Sequence, residues 1–273
     1  MARGSAARTH PLLNGSVGTT FSEVPSENVV VDRRGRKRAA RRDALLDLAG
    51  DLVAAGGVTS LTMTSLAQAA DYAPASLYTY FPSRSALIAT LQEEALLRLS
   101  AAARAAVERW DDDLRALGSD TDDPGGALAR LWAFNDLLVR APVEHPRDFA
   151  LQQELLVAAD AETDDDAARV VPSAMAVLEV PRTLLLRAAG VGAITTEPDE
   201  QVGRTLAWVA AINGALLAGR VRTGLAVGPT SLAESITRSL LIGWGAPIDR
   251  VDSARVLALR WQDGTTTDPE ETP

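Results

Sequence analysis

The chain has 273 residues, of which 47% are hydrophobic and 23% charged, a composition typical of one large or two small globular domains. Cysteine is absent and histidine occurs only at positions 10 and 145, which excludes disulfides, thiol nucleophiles and thiolate zinc sites. We therefore expect no metal site, no cofactor and no catalytic residue.

The net charge of −9 is unevenly distributed along the chain. Seven of the ten Arg and Lys residues in the first 92 positions lie between Arg33 and Arg42. A concentrated basic segment in an acidic protein is typical of contact with a polyanion at one end of the molecule. A solvated basic linker explains the same run equally well.

The sequence predicts neither a membrane span nor an export signal. The longest uncharged apolar stretch, residues 205–219, is shorter than the roughly 20 residues that a membrane-spanning helix needs, and it predicts a buried core helix. The residues after Arg3 and Arg8 form no continuous apolar run of the kind found in signal peptides. We therefore expect a cytoplasmic protein without a membrane partner.

Two polar tails enclose a chain whose pattern is helical throughout. Residues 1–32 are rich in Gly, Ser, Thr and Pro and predict a disordered tail, and residues 263–273 predict a flexible acidic tail. Between them, apolar residues recur at helical spacing without a sustained two-residue alternation. The sequence thus predicts an all-α fold.

The first two helices are marked by an apolar face and by a capping residue. Leu45, Leu48 and Leu52 share one face of the first helix, which is expected to end at Gly57. Thr62 is a typical N-cap residue, so a second, shorter helix is expected to begin after it.

A third and a fourth helix follow after an abrupt turn at residues 71–72. Pro74 suits the first position of the third helix, Leu77 faces inward, and Pro82 ends the helix. Ser83 then caps a longer fourth helix. Short helices on either side of an abrupt turn predict a helix-turn-helix unit.

Clusters of Pro, Gly and Asp divide the rest of the chain into further helices. We expect one break, formed by the clusters at residues 111–113 and 120–126. Pro172 and Pro181 fall inside a helical pattern and predict a kink or a division of that helix. The helices are expected at about residues 126–141, 146–160, 167–190, 198–223, 230–244 and 248–261.

Residues 77–84 read Leu-Tyr-Thr-Tyr-Phe-Pro-Ser-Arg and lead to Ala86 and Leu87. Together with Arg42 at the start of the first helix, this segment resembles the TetR family of bacterial transcriptional repressors. The family has the same order of Leu, Tyr, a variable residue, an aromatic residue, Phe, a short polar turn and a basic residue. The resemblance covers residues 42–91, less than a fifth of the chain.

Four positions depart from the family pattern. Asp71 and Tyr72 replace a Gly and a small aliphatic residue in the turn between the second and third helices, and Asp tolerates a left-handed backbone there. Ala73 replaces the usual Ser or Thr cap of the third helix, and Ser65 replaces the acidic capping partner in the second. These departures affect the angle at which the chain enters the third helix.

The resemblance implies an N-terminal three-helix helix-turn-helix DNA-binding domain followed by a helical-bundle ligand-binding and dimerisation domain. With the tails, the expected divisions are residues 1–32, 33–90 including the basic arm, 91–262 and 263–273. The implied function is a homodimeric transcriptional regulator, most simply a repressor, that binds palindromic operator DNA and is released by a small-molecule effector. The alternative is a helical ligand-binding or scaffold protein that has lost DNA reading, which the acidic rest of the chain favours. No nucleophile motif, phosphate loop or metal spacing predicts an enzyme.

Helical geometry and the resemblance select the same surface for base contacts. With Leu77 inward, Ala75 and Thr79 lie at about 160° and 200° from it, on the outermost face. Thr79 and Ser76 are candidates for hydroxyl contacts to base edges, and Ala75 for contact with a thymine methyl group. Thr64, in the first turn of the second helix, is either a contact to bases or backbone or an ordinary exposed residue.

Phosphate contacts are assigned to residues around this surface. The family implies them for Tyr78 and Tyr80, whose phenolic hydroxyls suit the role. Arg41, Arg42 and Arg84 are the expected phosphate cations. The basic run before them forms either an arm that enters an adjacent minor groove or a solvated linker.

The second domain is expected to hold the effector and the dimer interface. The apolar faces of residues 205–219 and of the next helix, at about residues 230–244, predict a four-helix dimer interface. A ligand cavity is expected by analogy with the family, although each candidate taken singly is more simply a core residue. The candidates are Trp132, Phe134, Asn135, Phe149, Gln152, Met175, Trp208 and Asn213.

Overall fold

The computed structural model of the chain describes residues 33–116, 123–157, 164–197, 199–219 and 228–262. Within these ranges the regular structure is helical without a strand, which confirms the expected all-α fold. Both expected tails lie outside the described residues. The helices are α1 (Arg33–Gly56), α2 (Met63–Ala70), α3 (Pro74–Leu77), α4 (Arg84–Ala116), α5 (Pro124–Glu144), α6 (Pro146–Val157), α7 (Asp164–Gly190), α8 (Gln201–Ala218), α9 (Pro229–Gly243) and α10 (Ile248–Gln262), with a 3-10 turn at Val58–Ser60.

The described residues divide into two units, with the boundary between residues 39 and 40. The described part of the first unit, residues 33–39, forms the first seven residues of α1 and is exposed throughout. The expectation that the first helix opens at Arg42 is therefore wrong, because α1 begins at Arg33. Arg, Lys and Ala are good helix formers, and Gly35 alone does not end the helix.

In the second unit, α2, α3 and the first turns of α4 share an apolar core with α1. Leu45 is buried as predicted, and Leu48 and Leu52 pack against this core at partial exposure. α6 contributes the fully buried Leu151 to the same core. The core residues are Leu45, Leu46, Ala49, Val53, Val58, Leu61, Met63, Leu66, Ala67, Leu77, Phe81, Leu87, Leu91, Ala95 and Leu151.

The turn between α2 and α3 accommodates the unusual residues. The Ser65 amide donates to Thr62 Oγ1 at 2.9 Å and the Thr62 amide donates to Ser65 Oγ at 2.9 Å, so serine completes a capping box in place of an acidic residue. Asp71 adopts the expected left-handed conformation, with φ of 56°. Ala73 gives α3 no side-chain cap, and Pro74 fills the first turn, where its missing N–H group costs little.

α5 is the central helix of the remaining bundle. Every residue from Gly126 to Asp136 is buried, and α4, α6, α7, α8, α9 and α10 all pack against this helix. The expected helices beyond residue 123 are present, with ends that differ from the predicted ones by a few residues. A helix buried on all sides in this way must satisfy its polar side chains within the protein.

The expected break at residues 111–113 is wrong, and of the two alternatives for the proline-containing helix the division is wrong while the kink stays a prediction. α4 continues through the expected break at residues 111–113 as far as Ala116, because Asp111 is held by arginines of α5 and α7. α7 is not divided at Pro172 or Pro181 and spans both prolines. Packing of α7 against α4 offsets the backbone hydrogen bonds that the two prolines remove.

Asp111 joins three helices of the bundle through one carboxylate. Its Oδ1 accepts from Nε of the buried Arg130 at 2.6 Å, and its Oδ2 accepts from Nη1 of Arg187 at 3.1 Å. Burial raises the pKa of Asp111, but the hydrogen bonds and charges of Arg187 and Arg130 outweigh burial and hold this pKa below its ordinary value.

We expect Asp111→Asn to lower the free energy of unfolding by about 1–3 kcal/mol at neutral pH, because Arg130 remains buried without its carboxylate. The contribution of ionised Asp111 is present above the pKa of the unfolded chain and is lost as the pH falls through the lower pKa of the folded chain. Denaturant unfolding across the acid range should therefore show less loss of stability in Asp111→Asn than in the wild type. Asp112→Asn, at an exposed position, is the control, and an equal effect of both substitutions would contradict the assignment.

Candidate nucleic-acid interface and effector cavity

α3 and the turn after it present small and polar side chains to solvent. Ala75, Ser76, Tyr78 and Thr79 are exposed, whereas Leu77 is fully buried. α3 is shorter than expected and ends at Leu77, so Tyr78 and Thr79 lie in the following turn. The amides of Thr79 and Tyr80 donate to carbonyls three residues earlier, the geometry of a tightened last turn before Pro82.

The hydroxyl groups of this surface differ in their surroundings. The Thr79 hydroxyl donates to the Ser76 carbonyl at 2.7 Å, which fixes its orientation on the exposed face. Thr64 is exposed in the first turn of α2, as expected for either of its two interpretations. The structure therefore brings Thr64, Ser76 and Thr79 to the surface of the helix-turn-helix unit, with one hydroxyl oriented by the backbone.

The three tyrosines of the chain have different environments. Tyr78 is 53% exposed, whereas Tyr72 and Tyr80 are partly buried and pack against the N-terminal core. Tyr72 thus fills space in the core, in line with its replacement of a small aliphatic residue. Tyr78 has most of its ring and hydroxyl available to a partner, and Tyr80 has only part of its side chain.

Among the expected phosphate cations, Arg41 and Arg42 lie on α1. Arg41 is exposed, and the guanidinium carbon of Arg42 lies 5.3 Å from the centre of the Phe81 ring. This cation–π contact places the charge of Arg42 next to the turn that follows α3. Arg42 therefore has both a packing role and a charge near the exposed surface.

Arg84, the third expected cation, makes hydrogen bonds within the protein. Its Nε donates to the Leu61 carbonyl at 2.6 Å and its Nη2 donates to the Val58 carbonyl at 2.8 Å. These bonds join the start of α4 to the loop before α2. No sequence signal indicates this role, because the two carbonyl partners lie more than 20 positions away.

In the bundle, the expected effector residues form a hydrogen-bonded core. Trp132 Nε1 donates to the Val251 carbonyl at 3.0 Å, which joins α5 to α10. Trp208 Nε1 donates to Thr237 Oγ1 at 3.0 Å, and Thr237 Oγ1 donates to Asn135 Oδ1 at 2.8 Å. The chain of donors links α8, α9 and α5 and uses polar groups that would otherwise be buried without partners.

A second polar cluster extends this core at Asp136. The Asn135 amide donates to one carboxylate oxygen of Asp136, and Arg255 donates to the other and to Glu234. Arg255 also lies over the Trp132 ring at 5.1 Å. Burial raises the pKa of Asp136 above its ordinary value, although Arg255 opposes that effect.

The remaining effector candidates are spread over different environments. Asn213 Oδ1 accepts from Gln153 Nε2 at 2.6 Å in the interior, and Phe149 is buried in the bundle core. Met175 is 56% exposed on α7. Gln152 and Phe134 line a cavity, and they are the predicted effector residues that the described part of the chain places there. The role of the whole set stays a prediction.

The cavity beside Gln152 has a volume of about 40 Å³ and lies between α4, α5, α6 and α7. Its wall is mainly apolar, with Glu144, His145 and Gln152 as its polar members. The sequence analysis missed most of this wall because its aliphatic residues look like ordinary core. The lining residues are Leu99, Ala102, Ala103, Phe134, Leu137, Leu138, Ala141, Glu144, His145, Gln152 and Val177.

α6 also contacts the N-terminal core. Arg147 Nη2 donates to the Leu46 carbonyl of α1 at 3.1 Å, and its guanidinium occupies the space next to Gly50. A Cβ atom at Gly50 would lie 1.8 Å from Arg147 Nε, so a side chain at position 50 would require the Arg147 guanidinium to move. Asp148, the next residue, accepts from Arg98 of α4 at 2.8 Å. The sequence alone does not reveal the pairing of Gly50 with Arg147.

None of the described helices combines the length and apolar character needed to cross a membrane. The described residues also contain no group of three or more His, Asp or Glu side chains that suits a metal ion.

We expect Arg84→Ala to lower the free energy of unfolding by about 1–3 kcal/mol, because it removes the hydrogen bonds from Arg84 to the Leu61 and Val58 carbonyls, the second of which keeps the Leu61 amide as a donor. Arg41→Ala, at an exposed position of α1, should leave the stability within about 0.5 kcal/mol of the wild type. Denaturant unfolding of both variants provides the measurement. A stable Arg84→Ala protein that merely binds DNA less tightly would show that Arg84 acts as a phosphate contact alone.

Comparison with known proteins supports the assignment of the helix-turn-helix unit. Residues 45–91 match the sequence profile of bacterial regulatory proteins of the tetR family. No curated protein matches the chain.

Solved structures share the overall fold. A TetR-family transcriptional regulator from Agrobacterium tumefaciens is similar with a TM-score of 0.53 and 20% identity, over 77% of this chain and 100% of that one. A protein of unknown function from Rhodococcus sp. RHA1 is similar with a TM-score of 0.55 and 22% identity, over 74% of this chain and 94% of that one. Residues 45–91 thus match the profile of tetR-family regulatory proteins, and the described helices share the all-α fold of these solved structures.

Proposed function

We propose that this protein is a homodimeric transcriptional repressor that binds palindromic operator DNA in the cytoplasm, is released by a small-molecule effector, and catalyses no reaction. The observation that carries the proposal is the exposed surface at α3, where Ala75, Ser76 and Thr79 surround the buried Leu77. A short helix with small and hydroxyl side chains on its outer face fits the major groove, where these groups reach base edges.

Phosphate contacts come from residues at the border of this surface. The exposed Tyr78 and Arg41 are available to the backbone, and Arg42 holds its charge beside the Phe81 ring. Such contacts fix the position of the protein on the duplex and carry no sequence information. Base readout is therefore assigned to Ala75, Ser76 and Thr79. The sequence-independent part of the affinity is assigned to Arg41 and Arg42.

Dimerisation is assigned to the outer faces of α8 and α9, which pack against each other through their inner faces. The outer face of α8 is apolar and exposed, although its sequence alone predicted a buried helix. Small residues on this face allow another helix to approach closely, and an exposed apolar patch marks an interaction surface. The exposed residues are Val202, Gly203, Leu206, Ala207, Ala210, Gly214 and Ala218 on α8, and Ser231, Ser235 and Ser239 on α9.

Release by an effector is assigned to the cavity and to α6. Gln152 lines the cavity, while Leu151 is buried in the N-terminal core and Arg147 donates to α1. A ligand that moves α6 therefore changes contacts to the DNA-binding domain. By linkage, such a ligand must bind the operator complex less tightly by the same factor by which it lowers operator affinity.

The cavity wall limits the chemistry of the effector. A volume of about 40 Å³ holds only a few water molecules, so a larger ligand must displace parts of α4, α5, α6 or α7. The mainly apolar wall with Glu144, His145 and Gln152 suits an apolar molecule that carries a hydrogen-bonding group. Binding of such a ligand therefore requires movement of the wall.

We expect Thr79→Ala to reduce the ratio of operator to random-sequence affinity, because a groove-facing hydroxyl discriminates between bases. Arg41→Ala should weaken both affinities alike and reduce the salt slope by about one. Gel-shift titrations with a duplex selected by the wild type from a random library, and with a random duplex, measure both effects. Failure of the wild type to select any sequence would favour a helical ligand-binding or scaffold protein over a repressor.

We expect Gly214→Arg to convert a dimer into a monomer, because a long charged side chain on the outer face of α8 blocks close approach of a second copy. Space around Gly214 is open within the chain, so the substitution should leave the folded protomer intact. Ala105→Arg on the exposed surface of α4 is the matched control and should remain dimeric. Sedimentation measures the assembly, and a dimeric Gly214→Arg protein would move the interface elsewhere.

A further inference from the structure

The N-terminal end of α1 carries an unusual concentration of positive charge. Residues 33–42, here called the basic extension, contain seven Arg or Lys residues and no Asp or Glu. All of them except the partly buried Arg42 are exposed. The extension precedes the residues that match the family profile, which begin at position 45. Apart from Arg41 and Arg42, its charge is therefore not part of the helix-turn-helix unit described above.

Positive charge at this position lowers the stability of the helix. The amino end of a helix carries a partial positive charge and favours acidic residues, yet the first turn of α1 contains none. Arg33 and Lys37, and likewise Arg34 and Arg38, are like charges at a spacing of four, which destabilises a helix. Gly35 further lowers the helix propensity. A nearby polyanion removes the electrostatic part of this penalty.

The charge density of the extension matches that of duplex DNA. Residues 33–39 span about 10 Å of helix and carry five cations. A B-form duplex carries one negative charge per about 1.7 Å, which is about six charges over the same length. Four of the five cations lie within about 140° of the helix circumference, so they are able to face one partner together. They are Arg33, Arg34, Lys37 and Arg38.

The same residues argue against other partners and other grooves. The uncharged members of the extension are Gly35, Ala39 and Ala40, which form no apolar face of the kind that a membrane-surface helix needs. An α-helix with its side chains is about 10–12 Å wide, whereas the minor groove is about 6 Å wide. The helical conformation is thus incompatible with an extended arm inserted into the minor groove.

We propose that the basic extension is a phosphate-binding helix that contacts duplex DNA in addition to the base-reading surface, and that DNA stabilises its helical conformation. This inference rests on the proposed DNA binding of the helix-turn-helix unit, because α1 continues from the extension into that unit. Phosphates are the same at every sequence, so the extension adds affinity and salt dependence without adding base preference.

The test replaces the five cations of residues 33–39 with glutamine, which keeps a good helix former at each position. The substitutions are Arg33→Gln, Arg34→Gln, Arg36→Gln, Lys37→Gln and Arg38→Gln. A control variant of equal net charge carries glutamine at five exposed arginines of the bundle, so it separates local contact from the overall field of the protein. These are Arg104, Arg109, Arg115, Arg250 and Arg260.

Affinity is measured against salt concentration for the duplex selected by the wild type and for a random duplex of equal length. The slope should fall by about 0.9 for each lost phosphate contact, so by about 2 or more in the extension variant, with an unchanged ratio of selected to random affinity. The control variant should keep the wild-type slope. Far-ultraviolet circular dichroism should show a gain of helix when wild-type protein binds DNA and no such gain in the extension variant.

The outcomes separate the two proposals. A wild-type protein that selects no sequence contradicts the proposed repressor function, while the random duplex still reports on the extension through the slope. A wild-type protein that selects a sequence, with equal slopes in the wild type and the extension variant, overturns the phosphate-binding helix. A changed ratio of selected to random affinity in the extension variant overturns it as well, because the extension would then read bases.

Discussion

Helix α6 is the constraint on which the rest of the structure depends, because its 12 residues contribute to three apolar clusters. Phe149 is buried in the bundle core, Leu151 is fully buried in the N-terminal core, and Leu155 packs against the cluster between α4 and α7. A close-packed interior does not let one of these contacts change while the others stay fixed. The bundle and the helix-turn-helix unit are therefore joined by α6 as well as by the long helix α4, and a disturbance of either core acts on the other.

The exposed surface at α3 depends on contacts that lie behind it. Leu77 and Phe81 anchor the helix and its following turn, while Arg84 holds the loop before α2 through two backbone carbonyls. α3 itself is one turn long and has no side-chain cap. A helix of this length is marginal in isolation, so its conformation comes from tertiary packing. The exposed side chains of this surface are therefore positioned by residues that lie behind it.

The sequence predicted what local chemistry decides and missed what distant partners decide. The left-handed Asp71 and the helical fold follow from backbone preferences and periodicity, and both were found. The continuation of α4 past residues 111–113 depends on arginines of other helices. The acidic run in the sequence does not indicate that these arginines pair with it. The space beside Gly50 is equally hidden, because its occupant, Arg147, lies far along the chain. The aliphatic residues of the cavity wall have the same helical spacing as core residues and differ from them only in lying next to an unfilled space. Periodicity alone therefore did not distinguish them.

The small size of the cavity beside Gln152 affects the rate of ligand association rather than the affinity. Under the proposed effector role, the wall would have to open before a ligand enters, since about 40 Å³ of space admits no molecule of effector size. Collective movements of packed helices take microseconds to milliseconds, far longer than a diffusional encounter with an open site at high ligand concentration. The rate of ligand association would then reach a plateau as ligand concentration rises. The speed of the response would be a property of the helices and not of the supply of ligand.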